Sequence, residues 1–302
     1  MLQVFGSLNA DMLFQVQALP RPGETVLCPG YELAAGGKGA NQAAAAAKAG
    51  ARVRMVGHLG DDGFGRFARE TLEAAGVDCS GVRRSYKATA IAVIGVDRHG
   101  ENQIIVASGA NLDTHALQVD DAELSPEVTL LCQNEIAPQA TFGLIARAKA
   151  RGARTILNLA PASPVPATVL EAVDLLVVNE IEAATASGAG GEPIGVARAL
   201  AERHGLTCVI TLGLQGAIAI APHQAWRVGS LAVDPVDTTG AGDAFVGVLA
   251  AELDRAESLA DALRRASIAA GLACTRIGAQ TSQPGAAEIE ARLGALAPAE
   301  QL

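Results

Sequence analysis

Aromatic residues make up only 3% of the chain, so within a hydrophobic share of 50% the core must be packed from Ala, Val, Leu and Ile. Cysteine is scarce too: Cys28, Cys79, Cys132, Cys208 and Cys274 lie far apart, odd in number and with no C-x-x-C pair. That spacing excludes a zinc ribbon and a disulfide framework and suits a reducing compartment. Lys and Arg form no run, and the formal net charge is −9. A partner held mainly through nucleic-acid phosphates is thereby excluded, and the acidity reads as ordinary solubility. No apolar run reaches the roughly 18 residues that a membrane helix needs. The start, Met1 to Gly6, has no basic leader region before Asn9 and Asp11 break the apolar pattern. A cytoplasmic protein with neither membrane nor nucleic-acid partner is expected. His58, His99, His115, His204 and His223 are dispersed without ligand spacing, and neither H-E-x-x-H nor G-x-S-x-G occurs, which removes the simplest metalloprotease and serine-hydrolase readings.

What the chain does contain is alternation. Short apolar runs recur at Leu2–Phe5, Val53–Val56, Val128–Cys132, Thr155–Leu159, Leu175–Val178, Cys208–Leu212 and Ala217–Ala221, most with the continuous hydrophobicity of strands buried on both faces. Ala-rich stretches of helical length separate many of them: Gly39–Ala49, Phe64–Ala75, Ala140–Arg151, Ile194–His204, Ala241–Leu253 and Leu259–Cys274. The pattern predicts an α/β fold with a central, mostly parallel sheet flanked by helices. Two regions depart from it. Residues 13–35 are strand-like without a helix, and Ala90–Val96 with Asn102–Val106 reads as a hairpin turning at His99-Gly100. Together they suggest a small β-sheet over one edge of a single domain spanning residues 1–302, built from insertions at about 12–36 and 88–107. There is no internal repeat or low-complexity linker.

Three Gly-rich segments carry candidate chemistry. In Gly36-Gly37-Lys38-Gly39-Ala40-Asn41-Gln42, a Walker P-loop fails twice, with Glu32 where Gly is required and Gly39 where Ser or Thr is required. A dinucleotide fingerprint fails at Gln42. What remains is a glycine turn opening a helix, either a tight capped turn or a place where a ligand approaches the backbone. In Asp237-Thr238-Thr239-Gly240-Ala241-Gly242-Asp243, the glycines open a helix whose unpaired N–H groups and positive dipole end point at one spot. Asp243 is then either a helix-start acid or a base beside an anion site; donors aimed at a transferring phosphoryl group are what such chemistry needs. Thr211-Leu212-Gly213-Leu214-Gln215-Gly216 follows a strand, where it is an ordinary turn or part of a ligand edge. Asn179 and Glu182, also after a strand, suit a hydrated Mg²⁺ on nucleotide phosphates or a solvated helix start.

Taken in order, these segments resemble the ribokinase (PfkB) family of carbohydrate kinases along nearly the whole chain. Gly6-Ser7-Leu8-Asn9-Ala10-Asp11, Glu135 in Gln133-Asn134-Glu135, and Thr275-Arg276-Ile277-Gly278-Ala279-Gln280 add to the match. The resemblance implies that Asn9, Asp11, Gly37, Lys38, Asn41 and Glu135 line a sugar pocket, and that Asn179, Glu182, Thr211, Gly213, Gly216 and Gly242 contact ATP and its Mg²⁺. It implies further that Gly240, Ala241 and Gly242 form an anion hole beside Asp243 as catalytic base. A K⁺ site would draw on Asp237, the Thr239 carbonyl, Ala273, Arg276, Gly278 and Ser282. The expected reaction is transfer of the ATP γ-phosphate to the primary hydroxyl of a small sugar, ribose first, with fructose, ketodeoxygluconate or a nucleoside as alternative acceptors. A non-catalytic sugar or nucleotide sensor on this fold is the rival from another class. The small sheet would act as a lid and as the contact of a homodimer.

Overall fold

The computed structural model describes residues 1–302. A ten-stranded sheet runs in the order Glu300–Gln301, Gln224–Val228, Ala217–Ala221, Thr207–Thr211, Leu175–Asn179, Arg154–Asn158, Thr129–Cys132, Leu2–Phe5, Val53–Gly60, Asp78–Ser85. Every neighbouring pair from Thr207–Thr211 to Asp78–Ser85 is parallel, and the remaining three pairings are antiparallel. The continuous apolar runs follow from this burial on both faces. Leu175 and Val177 enter one hydrophobic core while Leu176 and Val178 enter the other, as the two-residue period of a strand requires.

Helices 38–48, 241–254 and 259–273 pack over one face, and helices 138–150 and 193–204 over the other. The scarcity of aromatics has a structural counterpart here. Ala43, Ala44, Ala45 and Ala46 on the first helix are fully buried, and Gly247 on its neighbour lies so close that a Cβ there would stand 2.4 Å from the Gln42 carbonyl oxygen. Small side chains let the two backbones approach, which sets the separation of everything at their N-termini.

A second sheet has four strands in the order Glu32–Gly36, Asn9–Gln15, Ala90–Val96, Asn102–Ala107. The hairpin turns where expected: the Gly100 N–H donates to the Asp97 carbonyl, and Gly100 adopts φ 81°. The first strand of this sheet begins at Asn9 rather than Met12, so the small sheet reaches further towards the glycine turn than the sequence pattern indicated. Asn9 pairs with Gly36 on one side and Ala90 on the other. Strand Asp78–Ser85 was not anticipated, because this edge strand carries Arg83 and Arg84 on exposed positions, the charged dressing by which sheet edges avoid further pairing. No helix is long and apolar enough to cross a membrane.

Candidate active site

The carboxyl ends of the central parallel strands meet the N-termini of helices 38–48 and 241–254. Between them lies a cleft lined by Lys38, Asn158, Asn179, Glu182, Thr211, Gly240, Gly242, Asp243 and neighbouring aliphatic residues. Ligands in open α/β sheets bind along this edge.

Glycine makes both helix starts possible. Gly37 caps helix 38–48 at φ 89°, and a Cβ there would lie 3.0 Å from the Asn9 nitrogen and the Ser7 oxygen. Gly240 caps helix 241–254 at φ 76°, with Ala279 backbone 2.9 Å from where a Cβ would sit. The Ala241 N–H turns back to the Thr238 carbonyl and Ala244 N–H closes the first turn on Gly240. The Gly240, Gly242 and Asp243 N–H groups are therefore the open donors of this helix end, while Ala241 is engaged.

Asp243 is buried, and each of its oxygens accepts one amide hydrogen bond. Asn41 Nδ2 donates to Oδ2 and Gln42 Nε2 to Oδ1, both at 2.9 Å. Lys38 is held above the ordinary ammonium range: burial works against its charge, but Asp243, Glu135 and Glu182 outweigh it. Glu135 accepts from the Lys38 N–H at 2.8 Å and from Ser7 Oγ at 2.7 Å, fixing the glycine turn to the strand end that carries Glu135. Asp11 is pushed up to about 6, first by burial and then by Glu135 and Asp243. Its carboxylate lies against Gly36, where a Cβ would come within 2.0 Å of Oδ2, so a side chain there would displace the acid. Asn9 is oriented by Asn111, whose Nδ2 donates to Asn9 Oδ1 at 2.8 Å; the Asn9 amide hydrogens are thereby left to face the other way.

Asn179 and Glu182 are first of all a helix cap. The Glu182 N–H donates to Asn179 Oδ1 and the Asn179 N–H to Glu182 Oε2, both at 2.8 Å. Burial raises the Glu182 carboxyl, with the Asn179 N–H and Lys38 opposing. Thr211 lines the same cleft, whereas Gly213 and Gly216 shape the turn beyond it at φ 55° and 86°. Behind the Gly240 turn, Asp237 accepts from the Thr239 and Gly278 N–H groups at 2.9 Å each. The Ala273 carbonyl accepts from the Arg276 N–H, and Ser282 Oγ donates to the Ala279 carbonyl. Arg276 itself turns outward to Glu288.

Several polar residues of the site were not singled out from sequence. Asn158, Gln133, Asn111 and Gln283 are all buried, and Gln283 Nε2 donates to the Ala279 and Gly240 carbonyls at 2.6 and 3.3 Å. Asn158, a polar residue within the apolar run Thr155–Leu159, is the one that the sequence pattern could have revealed, since a buried amide needs partners.

The profile described as pfkB family carbohydrate kinase matches residues 1–286. A ribokinase of Haemophilus influenzae is 34% identical over 291 residues, covering 94% of this chain and 95% of that protein. Among solved structures, a ribokinase of Thermotoga maritima superposes with a TM-score of 0.90 at 31% identity, covering 97% of this chain and 99% of that one. An Arabidopsis thaliana ribokinase complexed with ribose and ATP superposes with a TM-score of 0.89 at 31% identity, covering 97% and 98%.

Proposed function

Since the chain belongs to the pfkB family of carbohydrate kinases, we propose that it moves the γ-phosphoryl group of ATP to the primary hydroxyl of ribose, with Asp243 as the base. The observation that carries this reading is the Asp243 carboxylate, held by two amides at a helix start whose open N–H groups face the same cleft as Lys38. The oxygen of the sugar hydroxyl bonds to the γ-phosphorus as its proton passes to Asp243, and the bond from phosphorus to the bridging oxygen of ADP breaks. The proton moves late, because an alcohol is far less acidic than a carboxyl group. Positioning and charge stabilisation at the helix end therefore dominate the rate.

Asn9, Asp11, Gly37, Lys38, Asn41 and Glu135 hold the sugar in this reading, and Asn179, Thr211, Gly213 and Gly216 hold ATP. Asn9 donates and Asp11 accepts, a pairing suited to a vicinal diol. Mg²⁺ arrives with the nucleotide, and Glu182 is the carboxylate placed to meet its water shell. The Asp237 carboxylate, the Thr239, Ala273 and Gly278 carbonyls and the Ser282 hydroxyl are hard oxygen donors, a set suited to K⁺; Cys274 is the one thiol beside them. Bound there, K⁺ would supply fixed positive charge behind the Gly240 turn. The small sheet closes over the sugar and excludes water. By register Ile104 and Val106 lie on the face of Asp11, and Ile105 lies with Met12 and Val93 on the opposite, outer face; Ile105 is exposed there beside Phe14 and Val26, an apolar surface suited to pairing with a second copy.

A substrate panel with ATP, run with and without K⁺, tests the reading. Ribose is expected to be the best acceptor; much faster phosphorylation of fructose, ketodeoxygluconate or a nucleoside would overturn the assignment of the sugar.

A further inference from the structure

A fully buried amide, Gln42, touches Asp243 on one side and two further amides on the others. Gln42 Nε2 donates to Asp243 Oδ1 at 2.9 Å and to Asn158 Oδ1 at 2.8 Å, while Gln42 Oε1 accepts from Gln133 Nε2 at 2.7 Å. Asn158 Nδ2 donates in turn to the Val177 carbonyl at 3.0 Å. Gln42 and Gln133 have no exposed surface and Asn158 is 7% exposed. Desolvating three amides costs free energy that an apolar cluster of the same volume would not, so their retention calls for a polar purpose.

The directions of these bonds are determined from both ends. A backbone carbonyl can only accept, so Asn158 must turn its NH₂ to Val177 and its oxygen to Gln42. An ionised Asp243 can also only accept. Gln42 must therefore present its NH₂ to both, and its oxygen is left facing residue 133, which must donate. Gln133 is the donor that completes the chain; no other arrangement makes every contact among these four groups a donor–acceptor pair, and the Gln133 Oε1 on the far side is left without a partner.

We propose that Gln42 is a positioning residue for the catalytic step, its amide polarity set by Gln133 and Asn158 so that an N–H always meets Asp243. The inference rests on Asp243 being the base. Gln42 touches neither sugar nor nucleotide; it holds the carboxylate in one rotamer, and a base displaced by an ångström loses most of its effect.

The test reverses polarity without removing volume. In Gln133→Glu the side chain can only accept once it is ionised, which burial shifts to higher pH; ionised, it forces Gln42 either to face it with its own oxygen or to flip and turn that oxygen towards Asp243. In Gln133→Met the donor is lost but nothing opposes the native orientation. At one slightly alkaline pH, kcat of Gln133→Glu is expected to fall at least about 10-fold, and that of Gln133→Met no more than about 3-fold, with KM for sugar and for ATP within about 2-fold of the parent in both. Gln42→Met is expected to lower kcat about 10- to 100-fold with the same unchanged KM values. Turnover is referred to the folded fraction measured by near-UV circular dichroism, so a loss of stability in Gln133→Glu does not enter the ratio. Equal kcat for the two Gln133 variants, or losses that fall on KM, would overturn the proposal. Asp243→Asn run alongside separates the two levels: if it turns over like the parent, the assignment of the base fails; if it is inactive while the Gln133 pair are equal, only the positioning role fails.

Discussion

Asn41 and Asp243, 202 positions apart in the chain, meet through a 2.9 Å hydrogen bond from Asn41 Nδ2 to Asp243 Oδ2. The bond joins the N-terminal turns of two helices that start at glycines with positive φ. It places the expected sugar-binding segment and the expected base in one network, and Asp243 has only acceptors to offer it.

Replacing that carboxylate by an amide is accordingly worse than losing a charge. In Asp243→Asn one oxygen becomes an NH₂ that faces the NH₂ of Asn41 or of Gln42. We expect kcat to fall about 10²- to 10⁴-fold or more, with KM for ATP changed by less than about 3-fold, in a coupled assay of ADP release. Turnover equal to the parent's would remove Asp243 from the mechanism.

Asp11 titrates near 6 in the folded protein and near about 4 in an unfolded chain. Between those values the folded state keeps a proton that the unfolded state has lost, so the contribution of Asp11 to stability is greatest below about pH 4 and declines as pH rises through 6. Asp11→Asn should therefore be more stable than the parent at neutral pH, by roughly 1 to 3 kcal/mol, and the gain should vanish below about pH 4 in urea titrations. The same variant should bind ribose about 10- to 100-fold more weakly, for loss of a charged acceptor. For the parent, sugar KM should rise as pH falls through 6. A KM insensitive to pH over that interval would separate Asp11 from the sugar.

Much of this was legible in the chain itself, and the exceptions have physical causes. The strands Leu2–Phe5 and Ala217–Ala221 agree residue for residue with their apolar runs, because burial on both faces leaves no alternation to misread. Asp78–Ser85 and Gln224–Val228 escaped notice since strands towards the sheet margins mix polar and apolar residues without such a run. In the site, acids next to glycine turns were visible as candidates. The amides that hold them were not: Asn158 sits inside a strand and Gln283 in a loop, and only the fold brings Asn158 to Gln42 or Gln283 to Gly240. Asn179 and Glu182 were read as nucleotide contacts, and their reciprocal cap shows that one pair of residues can also serve the helix that presents it.

Asp237 offers a test of the proposed cation site. Burial alone would raise its carboxyl, but the Gly278 and Thr239 N–H bonds hold it below the usual range. Its contribution to stability is thus present above the unfolded-state value and is lost as pH falls through the folded one. Asp237→Ala frees both N–H groups and loosens the turn that leads into Gly240. We expect kcat to fall about 10-fold at saturating K⁺, the loss of one positioned charged group, and activation by K⁺ over Na⁺ to disappear in the ribose assay. Undiminished K⁺ activation in this variant would place the cation elsewhere.

The separation of helices 38–48 and 241–254 is the feature on which the Asn41–Asp243 bond depends, and Gly247 controls it. A Cβ at Gly247 would stand 2.4 Å from the Gln42 carbonyl oxygen and 2.7 Å from Ala45 Cβ. The first obstacle is backbone, so no side chain can swing aside. Gly247→Ala gains intrinsic helix propensity, about 1 kcal/mol, yet forces the helices apart in a tightly packed core, which costs typically 1 to 3 kcal/mol and occasionally more. A net loss of about 0 to 2 kcal/mol is expected from that balance. The displacement falls on Gln42 and its neighbour Asn41, so kcat should drop out of proportion to stability, by about 10- to 100-fold. Gly195→Ala, on helix 193–204, is the control, since a Cβ there meets nothing within 4 Å and Gly195 lies outside the cleft. Urea titrations and initial rates on both variants decide the matter: full activity in Gly247→Ala would mean that the site tolerates a change of helix spacing, and the packing would then be a matter of stability alone.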